Sequence, residues 1–110
     1  MEPRPRQVLV YTDARGRQPL SEWLDGLKDR RLRAVIKVRI ARLETGNFGD
    51  CRSVGQGVQE LRIHDGPGFR IYFAEAGGAV VLLLSAGSKR TQSQDIRRAQ
   101  EFWKDAQETL

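Results

Sequence analysis

From Gly57 to Ala86 the chain alternates apolar and polar positions with the two-residue repeat of a strand that buries one face. Leu61 and Ile63 fall on one side of a strand over Gly57–His64, as do Phe69, Ile71 and Phe73 on the next. Glu60, Arg62 and His64 share the reverse side with Arg70 and Tyr72. Asp65-Gly66-Pro67-Gly68 supplies the turn between these strands, and Gly77-Gly78 marks a hairpin before a third. That third strand spans Val80–Ala86; its Val80–Leu84 run is apolar on both faces, which predicts a central position covered on both sides.

Elsewhere the spacing changes to three and four. Val8 to Thr12 reads as a first strand, bounded by prolines before it and Asp13-Ala14-Arg15-Gly16 after it. Pro19 suits the first position of a helix carrying Leu20, Trp23, Leu24 and Leu27. A second helix is expected from about Arg30 to Thr45, with Leu32, Val35, Ile36, Ile40 and Leu43 on its buried stripe and Gly46-Asn47 as its stop. Its outer faces carry Arg30, Arg31, Arg33, Lys37, Arg39 and Arg42, which read as a solvated surface that adds attraction for a polyanion rather than a dedicated RNA groove. Phe48 to Gln56 reads as a loop.

Thr91 to Asp95 opens a last helix, with Thr91 and Gln94 at capping-box spacing, Ser93 as a second cap and Asp95 near the positive end of the helix dipole. Ile96, Ala99, Trp103, Ala106 and Leu110 form its apolar stripe, directed at the sheet or at a partner protein. The expected fold is α+β, in the order β-α-α-β-β-β-α. It has a small, mainly antiparallel sheet, an N-terminal helical hairpin and a C-terminal helix.

A chain of 110 residues holds one domain with a real core, taken here as 1–110 with residues 1–6 expected to be flexible. Nineteen basic against fourteen acidic residues give a formal charge of +5, which favours an anionic partner, nucleic acid or acidic protein. With one cysteine, Cys51, and one histidine, neither an internal disulfide nor a structural metal site is expected. The N-terminus lacks the apolar stretch of a secretory signal, and the apolar run Ala79–Leu84 is far short of the roughly 18 residues that span a bilayer. A cytoplasmic location and no membrane partner are expected.

The segments Leu43-Glu44-Thr45-Gly46-Asn47-Phe48-Gly49-Asp50, Val54 to Ile63, Gly66 to Phe73, Val81 to Leu84 and Lys89 to Ile96 together resemble the RelE/ParE superfamily of bacterial toxins. The nearest likeness is to its HigB-like, phage Gp49-related "addiction module killer" branch, from about Gln18 onward. The resemblance implies a RelE-like fold and the toxin of a type II toxin–antitoxin pair. The implied partner is a helix-turn-helix antitoxin, through which alone the toxin would meet DNA. RelE-like and HigB-like members cut messenger RNA on the ribosome without a metal, so no cofactor is implied. ParE-like members share the fold and poison DNA gyrase. The stretch Lys89–Arg98 contains neither the tyrosine nor the histidine that RelE-type nucleases place there. A ParE-type gyrase inhibitor, or an inactive relative that only binds its antitoxin, therefore stands as the alternative.

RNA carries its own nucleophile in the 2′-hydroxyl. A nuclease adds a proton acceptor, cations for the phosphate, and help for the leaving oxygen. Arg62 and Arg70 suit the phosphate, since a guanidinium fork matches two of its oxygens; Arg70 also matches the arginine after the Gly-aromatic pair of the family motif. Lys89 or Arg90, at the mouth of the third strand, would meet the leaving group or the RNA backbone. Glu60 reads first as the partner of a cross-strand ion pair on a wet sheet face and second as a general base. His64 reads as an exposed bystander or as a base near neutral pH, and Tyr72 as packing or as a contact to a base or phosphate. The expected catalytic set is Arg62, Arg70, Lys89 and Glu60, with Arg90, Tyr72 and His64 on the RNA. Trp23 and Trp103 are assigned to the core or to an antitoxin-facing surface, and Cys51 to no function.

Overall fold

The computed structural model describes residues 4–109. Strand β1 (Gln7–Val10) leads through a loop to helix α1 (Pro19–Asp25) and helix α2 (Arg30–Glu44). Four strands follow: β2 (Cys51–Ser53), β3 (Gln59–Ile63), β4 (Phe69–Ala76) and β5 (Val80–Ser88). A 3₁₀ turn over Lys89–Thr91 then leads into helix α3 (Gln92–Thr109). The five strands form one mixed sheet in the order β1-β5-β4-β3-β2. Only β1 and β5 run parallel. The α+β class and the mainly antiparallel sheet agree with expectation.

The order differs at one point. The stretch read as a loop from Phe48 to Gln56 contains β2, which pairs Cys51, Arg52 and Ser53 with Leu61, Glu60 and Gln59. Nothing in Cys-Arg-Ser favours a strand; what holds it is tertiary, namely Cys51 and Phe48 against the core and Arg52 on Glu60.

Two cores flank the sheet. Leu20, Leu32, Ile36 and Leu43 of the helical hairpin pack on Leu61, Ile63, Phe69, Ile71, Phe73, Val81 and Leu83. Pro19 occupies the first turn of α1 as expected, and Asp29 caps α2 by accepting from the Arg31 and Leu32 amides. On the reverse face, Ala99, Trp103 and Ala106 of α3 pack on Val58, Tyr72, Ala74 and Leu84. This second core corrects the expectation of a wet sheet face: the polar side chains of β3 and β4 lie partly beneath α3. Leu110, the last position of the α3 stripe, and residues 1–3 lie outside the described residues. Trp103 is core, whereas Trp23 is half-buried, its ring edge-on to Phe69 at 5.6 Å. As expected, β5 lies between two strands and contributes to both cores.

The start of α3 is not built as a capping box. The Thr91 hydroxyl donates to the Asp95 carboxylate instead, and that carboxylate lies buried against Gly87. A Cβ on Gly87 would stand 1.9 Å from Asp95 Oδ2, so the missing side chain is what lets the first turns of α3 close onto β5. We expect Gly87→Ala to lower stability in urea by about 1–3 kcal/mol through this overlap. Adding Asp95→Ala to that variant should recover more than half of the loss.

Candidate functional site

The strand register brings four of the expected residues into two adjacent rows beside the start of α3. In one row Glu60 lies between Arg52 on β2 and Tyr72 on β4, with Ser85 of β5 beyond. In the other, Arg62 faces Arg70, whose partner on the far side is Gly87. The same alternation that buries Leu61, Ile63 and Ile71 against the helical hairpin turns these side chains toward α3.

Glu60 is fully buried and charge-matched. Its carboxylate accepts hydrogen bonds from Arg52 Nε at 3.0 Å, the Tyr72 hydroxyl at 3.1 Å and Gln92 Nε2 at 2.8 Å. Arg62 Nε stands 3.5 Å from the same Oε1, close enough for attraction but without a hydrogen bond. Burial pushes the Glu60 carboxyl up, but the bonds from Gln92, Arg52 and Tyr72 and the charge of Arg52 outweigh it and hold it below its ordinary 4.5. Burial and the neighbouring Glu60 carboxylate push the Tyr72 phenol up, so it stays protonated and acts as a donor.

Arg70 is buried to all but 8% of its surface, and its Nε has no hydrogen-bond partner. Its guanidinium lies by the Gly68 turn, where a Cβ would come within 3.2 Å of a terminal nitrogen. No carboxylate forms an ion pair with Arg70 among the described residues. Arg62 and Arg70 therefore stand opposite each other across β3 and β4, a like-charge pairing that repulsion disfavours unless an anion joins them.

The remaining expected residues sit around this pair. Lys89 and Arg90 are exposed on the 3₁₀ turn, directly after the β5 residues that pair with Phe69 and Arg70. The Lys89 amide donates to the Gly68 carbonyl at 3.2 Å, which joins this turn to the one beside Arg70. His64 does not join the Glu60 cluster; its exposed ring places Nε2 2.6 Å from the Asp50 carboxylate. That hydrogen bond, with the charges of Arg62 and Arg39, holds the Asp50 carboxyl below its ordinary range. Tyr72 and Glu60 have no exposed surface, so neither reaches a ligand directly in this arrangement.

Sequence reasoning missed Arg52, Gln92 and Asp50, and placed Asp95 at the helix start without its contact to Gly87. Arg52 and Asp50 stood in a presumed loop, and Gln92 looked like one polar residue among several at a helix start. Only the 32-residue separation closed by the Gln92–Glu60 bond gives it a role. Cys51 is a structural thiol: its Sγ lies 3.1 Å from the Phe48 carbonyl, and burial pushes its pKa up to about 11.

The family described as "Phage derived protein Gp49-like (DUF891)" matches residues 22–104, and the chain belongs to that family. The match takes in α2, every strand from β2 to β5 and most of α3, and so the whole cluster around Arg62 and Arg70. A protein of Haemophilus influenzae that carries the name "Uncharacterized protein" is 49% identical over 77 residues, which is 70% of this chain and 78% of that one.

Glu60 makes a pH-dependent contribution whose sign follows from its lowered pKa. The stabilisation is complete above the unfolded value near 4.5 and is lost as pH falls through the lower folded value. Glu60→Gln should therefore be less stable than the parent by about 1–3 kcal/mol near neutral pH. Urea titrations in a series of buffers should show the two converging as the medium is acidified through that range.

Proposed function

We propose that the chain is the toxin of a type II toxin–antitoxin pair, of the HigB-like branch of the RelE/ParE superfamily, and that it cuts messenger RNA on the ribosome. The observation that carries this reading is the facing pair Arg62 and Arg70, one of them buried, with no carboxylate between them that neutralises both. A phosphodiester is a ligand that relieves that repulsion and matches both forks. Membership of the Gp49-like family agrees with a toxin role.

In the proposed reaction the 2′-hydroxyl oxygen attacks the adjacent phosphorus and the bond to the 5′-oxygen breaks. The products are a 2′,3′-cyclic phosphate and a 5′-hydroxyl. Arg62 and Arg70 neutralise the charge that grows on the non-bridging oxygens, and preorganised donors of this kind are each worth about 10²–10³ in rate. His64, two residues beyond Arg62 and oriented by Asp50, takes the proton of the 2′-hydroxyl. Lys89 stands by the leaving oxygen, which takes its proton from solvent water to become the 5′-hydroxyl, and Arg90 follows the RNA backbone. Glu60 is a positioning residue here: with Tyr72 and Gln92 behind it, it aims Arg62 and Arg52 rather than accepting a proton from substrate. The step needs no cofactor, because cationic side chains supply the charge. The partner is a helix-turn-helix antitoxin, with an acidic surface suited to a chain of net charge +5.

The test is mapping of RNA 5′ ends in cells after brief induction, comparing the parent with Arg70→Ala. New ends within translated frames should appear with the parent and fall at least about a hundredfold with the variant. Since Arg70 is buried, Arg70→Lys serves as a second variant that keeps charge and bulk, and retained antitoxin binding reports an intact fold. Growth arrest without new RNA ends would overturn the nuclease and point to gyrase. Cutting by both Arg70 variants at the parent's level would overturn the assignment of Arg70.

A further inference from the structure

The positive charge of this chain is concentrated on one helix. Helix α2 carries six basic residues and a single acidic one, Glu44, so it alone matches the formal charge of +5 and the remainder of the chain is balanced. Among the described residues only one of the six cations forms an ion pair: Arg31, which meets Asp65 at 2.8 Å. Arg30, Lys37 and Arg42 are exposed and have no carboxylate partner. Like charges crowded on one helix repel one another, and an acidic partner removes that repulsion.

Between these cations runs an apolar stripe. Leu32, Ile36 and Leu43 turn α2 toward the sheet, which leaves Ala34, Val38 and Ala41 on the opposite, exposed side. Val38 is 52% exposed, the larger exposure of the two large hydrophobic side chains that stand out from the surface. Beside it lies a groove of about 440 Å³ walled by Arg31, Ala34, Val35, Val38, Arg39 and Arg42. Ala34, Val38 and Ala41 follow one another at spacings of four and three, the seam of a two-helix contact. In that register Arg42 flanks the seam on one side, and Arg30 and Lys37 flank it on the other. The two alanines let a second helix approach closely, and Val38 supplies the knob between them.

We propose that the outer face of α2 docks an amphipathic helix of a partner polypeptide, one that carries acidic residues on both sides of its apolar stripe. Burial of Val38 gives affinity, and carboxylates facing Arg30, Lys37 and Arg42 give register and selectivity. The seam favours a helix over single-stranded RNA, because surfaces for single strands set aromatic rings among their cations for bases to stack on, and α2 has no aromatic residue. A second copy of the chain is a poor occupant: α2 against α2 sets cation on cation. The exposed side of α3 mixes Arg97, Arg98 and Lys104 with Glu101, Asp105 and Glu108 and has no apolar stripe. The proposal stands apart from the nuclease reading, since α2 covers the face of the sheet opposite the one that α3 covers beside Arg62 and Arg70.

The test uses the full chain and three synthetic peptides about three heptads long, each held helical by a side-chain lactam and followed by backbone amide shifts. The first has leucine and alanine along its seam with glutamate on both flanks. The second has lysine on the flanks, and the third is the first with its residues scrambled, so that charge is kept and the stripe is lost. The glutamate peptide should shift amides between Arg30 and Arg42, and the other two should bind at least about tenfold more weakly. Val38→Asp should weaken the glutamate peptide at least about tenfold and leave the melting temperature unchanged, since the side chain is exposed. Lys37→Glu with Arg42→Glu, both at exposed positions, should reverse the preference toward the lysine peptide. The proposal is overturned if no peptide binds, if the shifts map away from α2, or if the scrambled peptide binds as well as its parent. It is equally overturned if single-stranded RNA displaces the peptide by shifting the same amides, or if light scattering shows the chain pairing with itself through a face that Val38→Asp disrupts. None of these readouts depends on RNA cutting, so failure here leaves the nuclease reading standing.

Discussion

The carboxylate of Glu60 is the constraint around which the polar half of this molecule is arranged. A carboxylate with no exposed surface stays ionised only if its surroundings replace the water it has lost. Here Arg52 comes from β2, Arg62 from its own strand, Tyr72 from β4 and Gln92 from α3. Four separate elements thus converge on one anion. This explains why a three-residue strand with no intrinsic preference for extended structure pairs at all, and why α3 meets the sheet at its first turn. It also explains why Tyr72 remains a phenol: beside an ionised carboxylate in a buried place, a phenolate would be a second uncompensated charge.

The same anion sets the character of the neighbouring row. Glu60 draws Arg62 without hydrogen-bonding it and leaves Arg70 wholly unmatched, so positive charge accumulates where β3 and β4 end near the 3₁₀ turn. The backbone register, rather than the side chains, sets Arg62 and Arg70 opposite each other. Gly68 and Gly87 matter for the same reason. One leaves room beside the Arg70 guanidinium and the other admits Asp95, so the helix start closes without a side chain in the way. In the proposed reaction this row carries its positive charge before substrate arrives, the condition under which fixed donors act most strongly on a developing charge.

Much of the scaffold was legible from residue pattern alone, because it depends on local periodicity. The alternation at Leu61, Ile63, Phe69, Ile71 and Phe73 assigned one face of two strands, and the unbroken apolar run Val80–Leu84 placed β5 inside the sheet. Both helices of the hairpin and the α3 stripe followed from spacings of three and four. What escaped was non-local. A row of Glu60, Arg62, Arg70 and Tyr72 reads as solvent-facing until one knows that α3 packs on that side, and an amphipathic helix does not declare its surface in advance. Strand β2 escaped for the same reason, since its stability lies in a bond from Arg52 to a residue eight positions on. Pairing of Asp50 with His64 across fourteen positions was likewise invisible to a reading that treated the stretch as loop.

Helix α3 ties the polar row of β3 and β4 to a cleft beside β5. Gln92 in its first turn holds Glu60, Asp95 one turn on rests against Gly87, and Arg98 and Phe102 beyond it wall the cleft beside β5. These contacts all lie on one continuous helix, Gln92–Thr109. Loss of the Gln92 bond would leave Glu60 with fewer donors, and the position of Arg62 depends on that carboxylate.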